Sequence, residues 1–259
     1  MAVYPQLTTG ALVQYPIRKR QTTRTVTNIT ADGRSIRLAD QPASLTEWHL
    51  RYEGLSDVEL YNLEQFFVAV EGSLNGFTFI DPAGNLLAWS EDLGNAAWTQ
   101  DPFLTITAGT TDPLGGKNAF RLTNSGEGAQ GLSQILNAPT SYTYSFSCYI
   151  RTDQPASVTL VLGSHRASAQ AGPDWTRISI TGSGDEAAAS ILFGVELSTG
   201  AIDLFGPQAE AQHSPSAYQK STTGGVYSNS RFSDDGFSFT STGVNQHRAT
   251  VNITHVNHL

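Results

Sequence analysis

Apolar and polar residues alternate along most of this chain, and a helical spacing interrupts the alternation once. Residues 22–29, TTRTVTNI, alternate β-formers with polar side chains, and 31–34, ADGR, form an Asp-Gly turn signal that leads into a partner strand at 35–40. Residues 45–54, LTEWHLRYEG, place Trp48, Leu50 and Tyr52 on one face, as in a half-buried strand. The helical stretch begins at Ser56, with Glu59 three residues on. That is capping-box spacing, in which hydroxyl and carboxylate each satisfy an otherwise orphaned amide. Leu60, Leu63, Phe67 and Val70, with Phe66 beside them, make one apolar stripe, and Gly72 suits the left-handed position past the helix end. A strand follows in GFTFIDP, with Phe77 and Phe79 on one face and a stop at Pro82.

Beyond residue 85 the texture changes to short strands between turn residues. The pattern predicts strands at 86–90, 104–108, 119–123, 131–136, 142–151, 157–163, 176–181, 191–196 and 201–208, the spacing of a sandwich or jelly roll. In the strand at 142–151, Tyr142, Tyr144, Phe146, Cys148 and Ile150 share the core face. Tyr149 and Arg151 fall on the other face. The last segment has a turn at Asp234 to Gly236, then FSFTST and a long alternating strand in HRATVNITHV. A lone hairpin cannot stand as a domain and needs a sheet to join. The expected organisation is therefore a split domain, 1–84 plus 224–259, with a β-sandwich spliced in at 85–223. The expected fold class is all-β with one helix, a split β-barrel or sandwich with an inserted jelly-roll sandwich.

Composition narrows the function classes. Only 15% of the 259 residues are charged, which with many Thr, Val, Ile and aromatic residues favours an all-β fold. The net charge of −8 argues against a general nucleic-acid binder, and the one basic cluster, Arg18 to Arg20 with Arg24, is short. Cys148 is the single cysteine, so no internal disulfide forms, and its setting is that of a small buried thiol. No apolar run is long enough for a membrane helix, so no membrane insertion is expected. The opening MAVYPQLTTG lacks the form of a signal peptide.

Two resemblances add to this reading. TRTVTNITADGRSIRL, EWHLRYEGLSDVELYNLEQFF, GSLNGFTFIDP and the closing HRATVNITHV resemble the distal tail and minor tail proteins of tailed phages, over roughly 120 residues. That resemblance implies a virion structural protein, made in the host cytoplasm and located at the tail tip. It implies a homo-oligomeric ring, a hexamer, joining the tail tube to tail-tip or hub proteins. NLLAWSEDLGNAAWT, YTYSFSCYIR, DWTRISI and DLFGPQAEAQHSPSAYQKSTTG resemble carbohydrate-binding-module-like jelly rolls, in order over about 140 residues. That resemblance implies an outward module with host-surface polysaccharide as its candidate ligand. The short RASAQAGPDW argues against a deep groove.

Sugar recognition uses aromatic faces together with amide, acid and arginine groups. The candidate contact residues are Gln134, Tyr149, Arg151 and Trp98, weighed against an ordinary solvated face and, for Trp98, a rim residue closing the core. Trp175 and Trp89 read as structural. Glu91, Asp92 and Asp203 are candidate oxygen donors for a structural calcium, against the reading of solvated strand-end acids. The histidines, His49, His165, His213, His247, His255 and His258, show no HExxH spacing. No Gly-x-Ser-x-Gly or P-loop occurs, so no catalytic residue and no enzyme activity is expected. The alternative to a tail-tip role is a stand-alone secreted or surface carbohydrate-binding protein.

Overall fold

The computed structural model describes residues 2–184 and 188–257, without the side chains of 41–43. Its elements run β1 (Arg18–Ile29), β2 (Ser35–Leu55), α1 (Asp57–Ala69), β3 (Phe77–Ile80), β4 (Thr99–Gln100), β5 (Leu104–Thr110), β6 (Ala119–Asn124), β7 (Gln130–Leu136), β8 (Tyr144–Arg151), β9 (Ala156–Leu162), β10 (His165–Ala171), β11 (Thr176–Gly182), β12 (Ile191–Leu197), β13 (Gly200–Glu210), β14 (Val226–Phe232), β15 (Phe239–Gly243) and β16 (Gln246–Val256). The fold is all-β apart from the one helix. The chain divides into two compact units. Unit 1 is Met1–Thr8, Val13–Phe79 and Tyr227–Leu259; unit 2 is Thr9–Leu12 and Ile80–Val226.

Unit 1 is a sheet of order β1-β2-β16-β14-β3, with β15 added beside β16. The alternation of the two central strands explains their pairing. Ala249, Val251 and Ile253 of β16 stand opposite Tyr52, Leu50 and Trp48 of β2, and all six are buried. Burying such side chains contributes about 1.5–3 kcal/mol each. Helix α1 begins as its sequence dictates: Ser56 accepts from the Glu59 amide and Glu59 accepts from the Ser56 amide. Val70 is the C-cap, Glu71 after it is left-handed at φ 57°, and the expected left-handed Gly72 follows one position further on, at φ 64°. The Glu71 amide donates to the Val68 carbonyl and the Gly72 amide to that of Phe67, which is the Schellman arrangement. The pairing of last-turn carbonyls, not the glycine alone, fixes where the helix stops. Phe66 meets Tyr4, Phe77 and Phe232 edge to face, with centroids 5.1–6.0 Å apart.

Unit 2 is a sandwich of two five-stranded antiparallel sheets, ordered β10-β9-β12-β7-β4 and β11-β8-β13-β6-β5. Tyr144, Phe146, Cys148 and Ile150 of β8 are fully buried, and Tyr144 and Phe146 pack on Phe193 of β12. Burial pushes the Cys148 thiol pKa up, so it is an inert core group.

Two expectations fail here. Residues 86–90 form no strand, because side-chain amides take their backbone groups. Asn85 Oδ1 accepts from the Leu87 amide, and the Gln134 amide pairs with both the N–H and the carbonyl of Ala88. Trp89, read as a core strand residue, sits at φ 52° and is 39% exposed. The stretch RASAQAGPDW, read as a short loop, contains strand β10; its Ala and Ser residues lack the β-branched signature of a strand.

Candidate functional site

Strand pairing assembles one conspicuous surface, on the outer face of the β11-β8-β13-β6-β5 sheet. Arg151 of β8 stands opposite Asp203 of β13, which stands opposite Arg121 of β6. Trp175, just before β11, extends this row: the Arg151 guanidinium lies over its ring, 4.8 Å from the centroid. Four neighbouring strand positions span about 14 Å at roughly 4.8 Å per strand. A second row runs beside the first, in which Arg177 faces Tyr149 and Tyr149 faces Phe205.

Asp203 organises the ladder. Its carboxylate is only 2% exposed, yet it accepts from Arg121 Nε at 2.8 Å and from Arg151 Nε at 3.0 Å. A buried carboxylate needs such partners, because an unpaired charge out of water is costly. The hydrogen bond and charge of Asp203 hold Arg121 still more firmly protonated, against burial, and Asp153 at 3.6 Å adds to it. The two guanidiniums keep 44% and 29% of their side-chain surface in solvent. They are thus aimed from below and left open above. Arg177 spans its row: one nitrogen donates to the Ser216 carbonyl and another to Ser147 Oγ, and the group lies 5.5 Å over the Tyr149 ring. The indole N–H of Trp175 and Nε of Arg177 are buried with no hydrogen-bond partner.

Part of this face, over β13, is covered by a strap, residues 211–219, whose anchors come from GPQAE and PSAY. Gly206 has φ 59°, and a Cβ there would stand 2.8 Å from the Tyr218 ring, so only glycine admits the ring that packs on Phe205. Gln208 Oε1 accepts from the Gln219 amide, and its amide nitrogen donates to Glu210. Glu210 accepts from the Ser216 amide and hydroxyl. Burial, aided by the charge of Glu91, raises the Tyr218 pKa although Ser90 bonds its hydroxyl. These motifs therefore tie the strap down beside the ladder.

The four candidate contact residues do not share one surface. Tyr149 and Arg151 are together on the ladder, but the Tyr149 ring lies beneath Arg177 and is not a bare platform. Gln134 is on β7 of the other sheet, 4% exposed, its amide spent on Ala88. Trp98 is 7% exposed and its indole donates to the Trp89 carbonyl. Both are interior residues, because alternation cannot tell which sheet a strand joins. Trp175, Arg177 and Arg121 are the ladder residues that sequence reasoning missed. The signal for the first two was their two-residue spacing in DWTR, matching Tyr149 and Arg151.

The calcium donors are also dispersed. Asp203 is held by two arginines, while Glu91 is held by Lys220 at 2.7 Å and by the Tyr218 hydroxyl. Cations of the protein itself occupy the places an ion would take, and among the described residues no three His, Cys, Asp or Glu side chains gather. Of the histidines, His49 bonds Asn252, His165 bonds the Ser183 carbonyl, and His247 bonds Asp57 and Ser241. His258 lies outside the described residues.

No protein-family model matches the chain, and no curated protein matches it. Solved structures do resemble it in shape. The enzymatically active domain of bacteriophage CBA120 tailspike protein 4 aligns with 51% of this chain and 22% of its own, at 12% identity and TM-score 0.40. The xylan-binding domain CBM22-1 of Xyn10C from Paenibacillus barcinonensis aligns with 53% of this chain and 95% of its own, at 15% identity and TM-score 0.39. TmCBM61, solved with β-1,4-galactotriose, aligns with 44% and 88%, at 11% identity and TM-score 0.35. The chain thus matches about a fifth of the tailspike domain and nearly the whole of the two binding modules. The likeness is one of sandwich shape alone, and the chemistry of the ladder rests on its own residues.

Proposed function

We propose that unit 2 is a glycan-binding module and that the Trp175–Arg151–Asp203–Arg121 ladder is its contact surface. The observation that carries this is the buried Asp203, which fixes two half-open guanidiniums in line on a sheet face beside an indole. Guanidinium forks donate to hydroxyls and carboxylates in a fixed plane, and their order here suits an extended chain rather than a small buried ligand. The ladder lies on an open sheet face with no groove around it, so binding is shallow and individually weak. Adhesion then depends on several copies acting together. The role is recognition, with no bond chemistry.

A glycan array followed by affinity electrophoresis tests this. The wild-type chain retards on at least one polysaccharide, and Arg151→Ala and Trp175→Ala each weaken that binding about tenfold, or 1.4 kcal/mol, measured at a temperature where both variants remain folded, since Arg151→Ala also costs stability by taking a partner from Asp203. A wild type that binds no polysaccharide, or two variants that bind as well as it does, ends the reading.

The carrier of the module has two readings. In one the chain is a stand-alone secreted or surface binding protein. In the other it is a virion protein of a phage-type tail tip, where unit 1 builds a ring, a hexamer, between tail tube and hub proteins. Unit 1, in which β16 pairs with β2, contributes no residue to the ladder, and both readings allow this. Antibody labelling of intact tails separates them: label at the tip supports the virion reading, and label absent from tails leaves the stand-alone one.

A further inference from the structure

Unit 1 holds two cations that neither its core nor the ladder uses. Alternation sends Glu47, His49, Arg51 and Glu53 of β2 to the face opposite the buried Trp48, Leu50 and Tyr52. Register sets Arg18 and Arg20 of β1 opposite His49 and Glu47, and Thr250 and Asn252 of β16 opposite Arg51 and His49. With Arg248, the paired stretch of these strands carries four arginines against two glutamates on this face, in a chain of net −8. The glutamates are already engaged: Glu47 pairs with Arg20 at 3.8 Å, and Glu53 pairs with Arg248. The guanidiniums of Arg18 and Arg51 have no ion pair or hydrogen bond among the described residues.

Both arginines line one cleft of about 230 Å³, together with Pro16, Ile17, His49 and Thr250, and no carboxylate lines it. Arg18 and Arg51 are diagonal neighbours across β1 and β2, a spacing of about 7–8 Å that long side chains bridge. His49 Nδ1 donates to Asn252 Oδ1 at 2.8 Å, which fixes the ring and leaves Nε2 as its remaining polar atom. A single guanidinium fork saturates a carboxylate. Two forks and the Thr250 hydroxyl call for an anion with more oxygens, which a phosphoryl group has. A second cleft, of about 350 Å³, adjoins the first across Arg51 and Thr250. Its chemistry differs, because the Arg248–Glu53 pair and the hydroxyls of Ser238 and Thr240 offer acceptors as well as donors. Sugar hydroxyls need both.

We propose that unit 1 binds a sugar phosphate, with the phosphoryl group held between Arg18 and Arg51 in the first cleft and the sugar hydroxyls against Arg248, Glu53 and Thr240 in the second. The donor-only cleft selects the charged end of the ligand and the mixed cleft its neutral end. This does not rest on the glycan reading, since every residue involved belongs to unit 1 and none to the ladder.

Isothermal titration calorimetry on the full chain in phosphate-free buffer tests it, with glucose 6-phosphate, inorganic phosphate, glucose and acetate as separate titrants. Glucose 6-phosphate binds more tightly than inorganic phosphate, and glucose and acetate give no measurable binding. Arg18→Ala and Arg51→Ala each weaken both phosphate ligands about tenfold. Both positions are exposed and unpaired, so these variants keep the wild-type melting curve. Glu53→Ala with Arg248→Ala leaves the net charge unchanged and removes an exposed pair worth little to stability. It brings glucose 6-phosphate down to the affinity of inorganic phosphate. Arg151→Ala, on the ladder, changes neither affinity. A wild type that binds neither phosphate ligand overturns the proposal, as does acetate binding as tightly as phosphate. Inorganic phosphate binding as tightly as glucose 6-phosphate also overturns it, as does affinity that survives in both single arginine variants or that falls in Arg151→Ala.

Discussion

In unit 1 the segments are pinned by aromatic rings; in unit 2 they are pinned by buried amides and carboxylates. Tyr4 alone lies within 6.4 Å, centroid to centroid, of Phe66, Phe77, Phe79 and Phe232. Unit 2 has apolar strands of its own, but its connections are held by single polar side chains. Asn85 saturates its amide: it donates to the carbonyls of Pro207 and Gln219 and accepts from the amides of Leu87 and Ala209. Asn124 donates to the carbonyls of Gly128, Leu197 and Ser198, and Asp112 accepts from the amides of Leu114, Gly116 and Asn118. Burial opposes the charge on Asp112, but those amides outweigh it and lower its pKa. Apolar packing tolerates many neighbours, whereas a saturated amide specifies one loop path. Unit 2 uses the second device where its sheet face and strap must keep a shape.

The largest effect is expected in the aromatic cluster. Phe77→Ala removes a ring that is 0% exposed and touches Tyr4, Phe66 and Phe232. The loss should be about 3–5 kcal/mol, as for other large core aromatics. Hydrogen exchange should show it first in α1 and β3. Unchanged protection of both elements would mean that the cluster is not what holds unit 1.

This contrast explains what could be read from the chain and what could not. The α1 start was legible because Ser56 and Glu59 act within one turn, and the β2 core face because Trp48, Leu50 and Tyr52 alternate locally. Ile36 and Leu38 alternate in the same way yet remain open to solvent, since a period of two says nothing about what covers a face. The ladder was half legible. Tyr149 and Arg151 fall on the outer face by counting, but the partners of Arg151 depend on long-range register with β13 and β11. Gln134 and Trp98 failed for the same reason, being polar or amphipathic groups whose partners are backbone atoms far along the chain.

A smaller effect is expected where one amide does the holding. Asn85→Ala leaves two buried amides and two carbonyls without their partner. The cost should be about 2–4 kcal/mol, read from urea unfolding. Asn85→Asp should recover little of it, since a carboxylate cannot donate to Pro207 and Gln219. Full recovery by aspartate would show that only the accepting half matters.

The smallest effect falls on a polar hub of unit 1, and it depends on pH. Burial works against the Glu59 charge, but the Thr8 hydroxyl and amide and the Ser56 hydroxyl and amide all donate to it and outweigh that cost, so its pKa lies below the ordinary glutamate value. A carboxyl whose folded pKa is depressed binds its proton more readily when unfolded. Its contribution is therefore complete above the ordinary value and is lost as pH falls through that value toward the folded one. Unit 1 should accordingly lose stability in mild acid. Glu59→Gln keeps the shape, gives up the charge-assisted bonds at neutral pH, and should flatten the acid limb of unit 1 stability measured by hydrogen exchange at α1. An acid limb as steep in the glutamine variant as in the wild type would place the proton uptake on some other group and leave the capping box a purely geometric device.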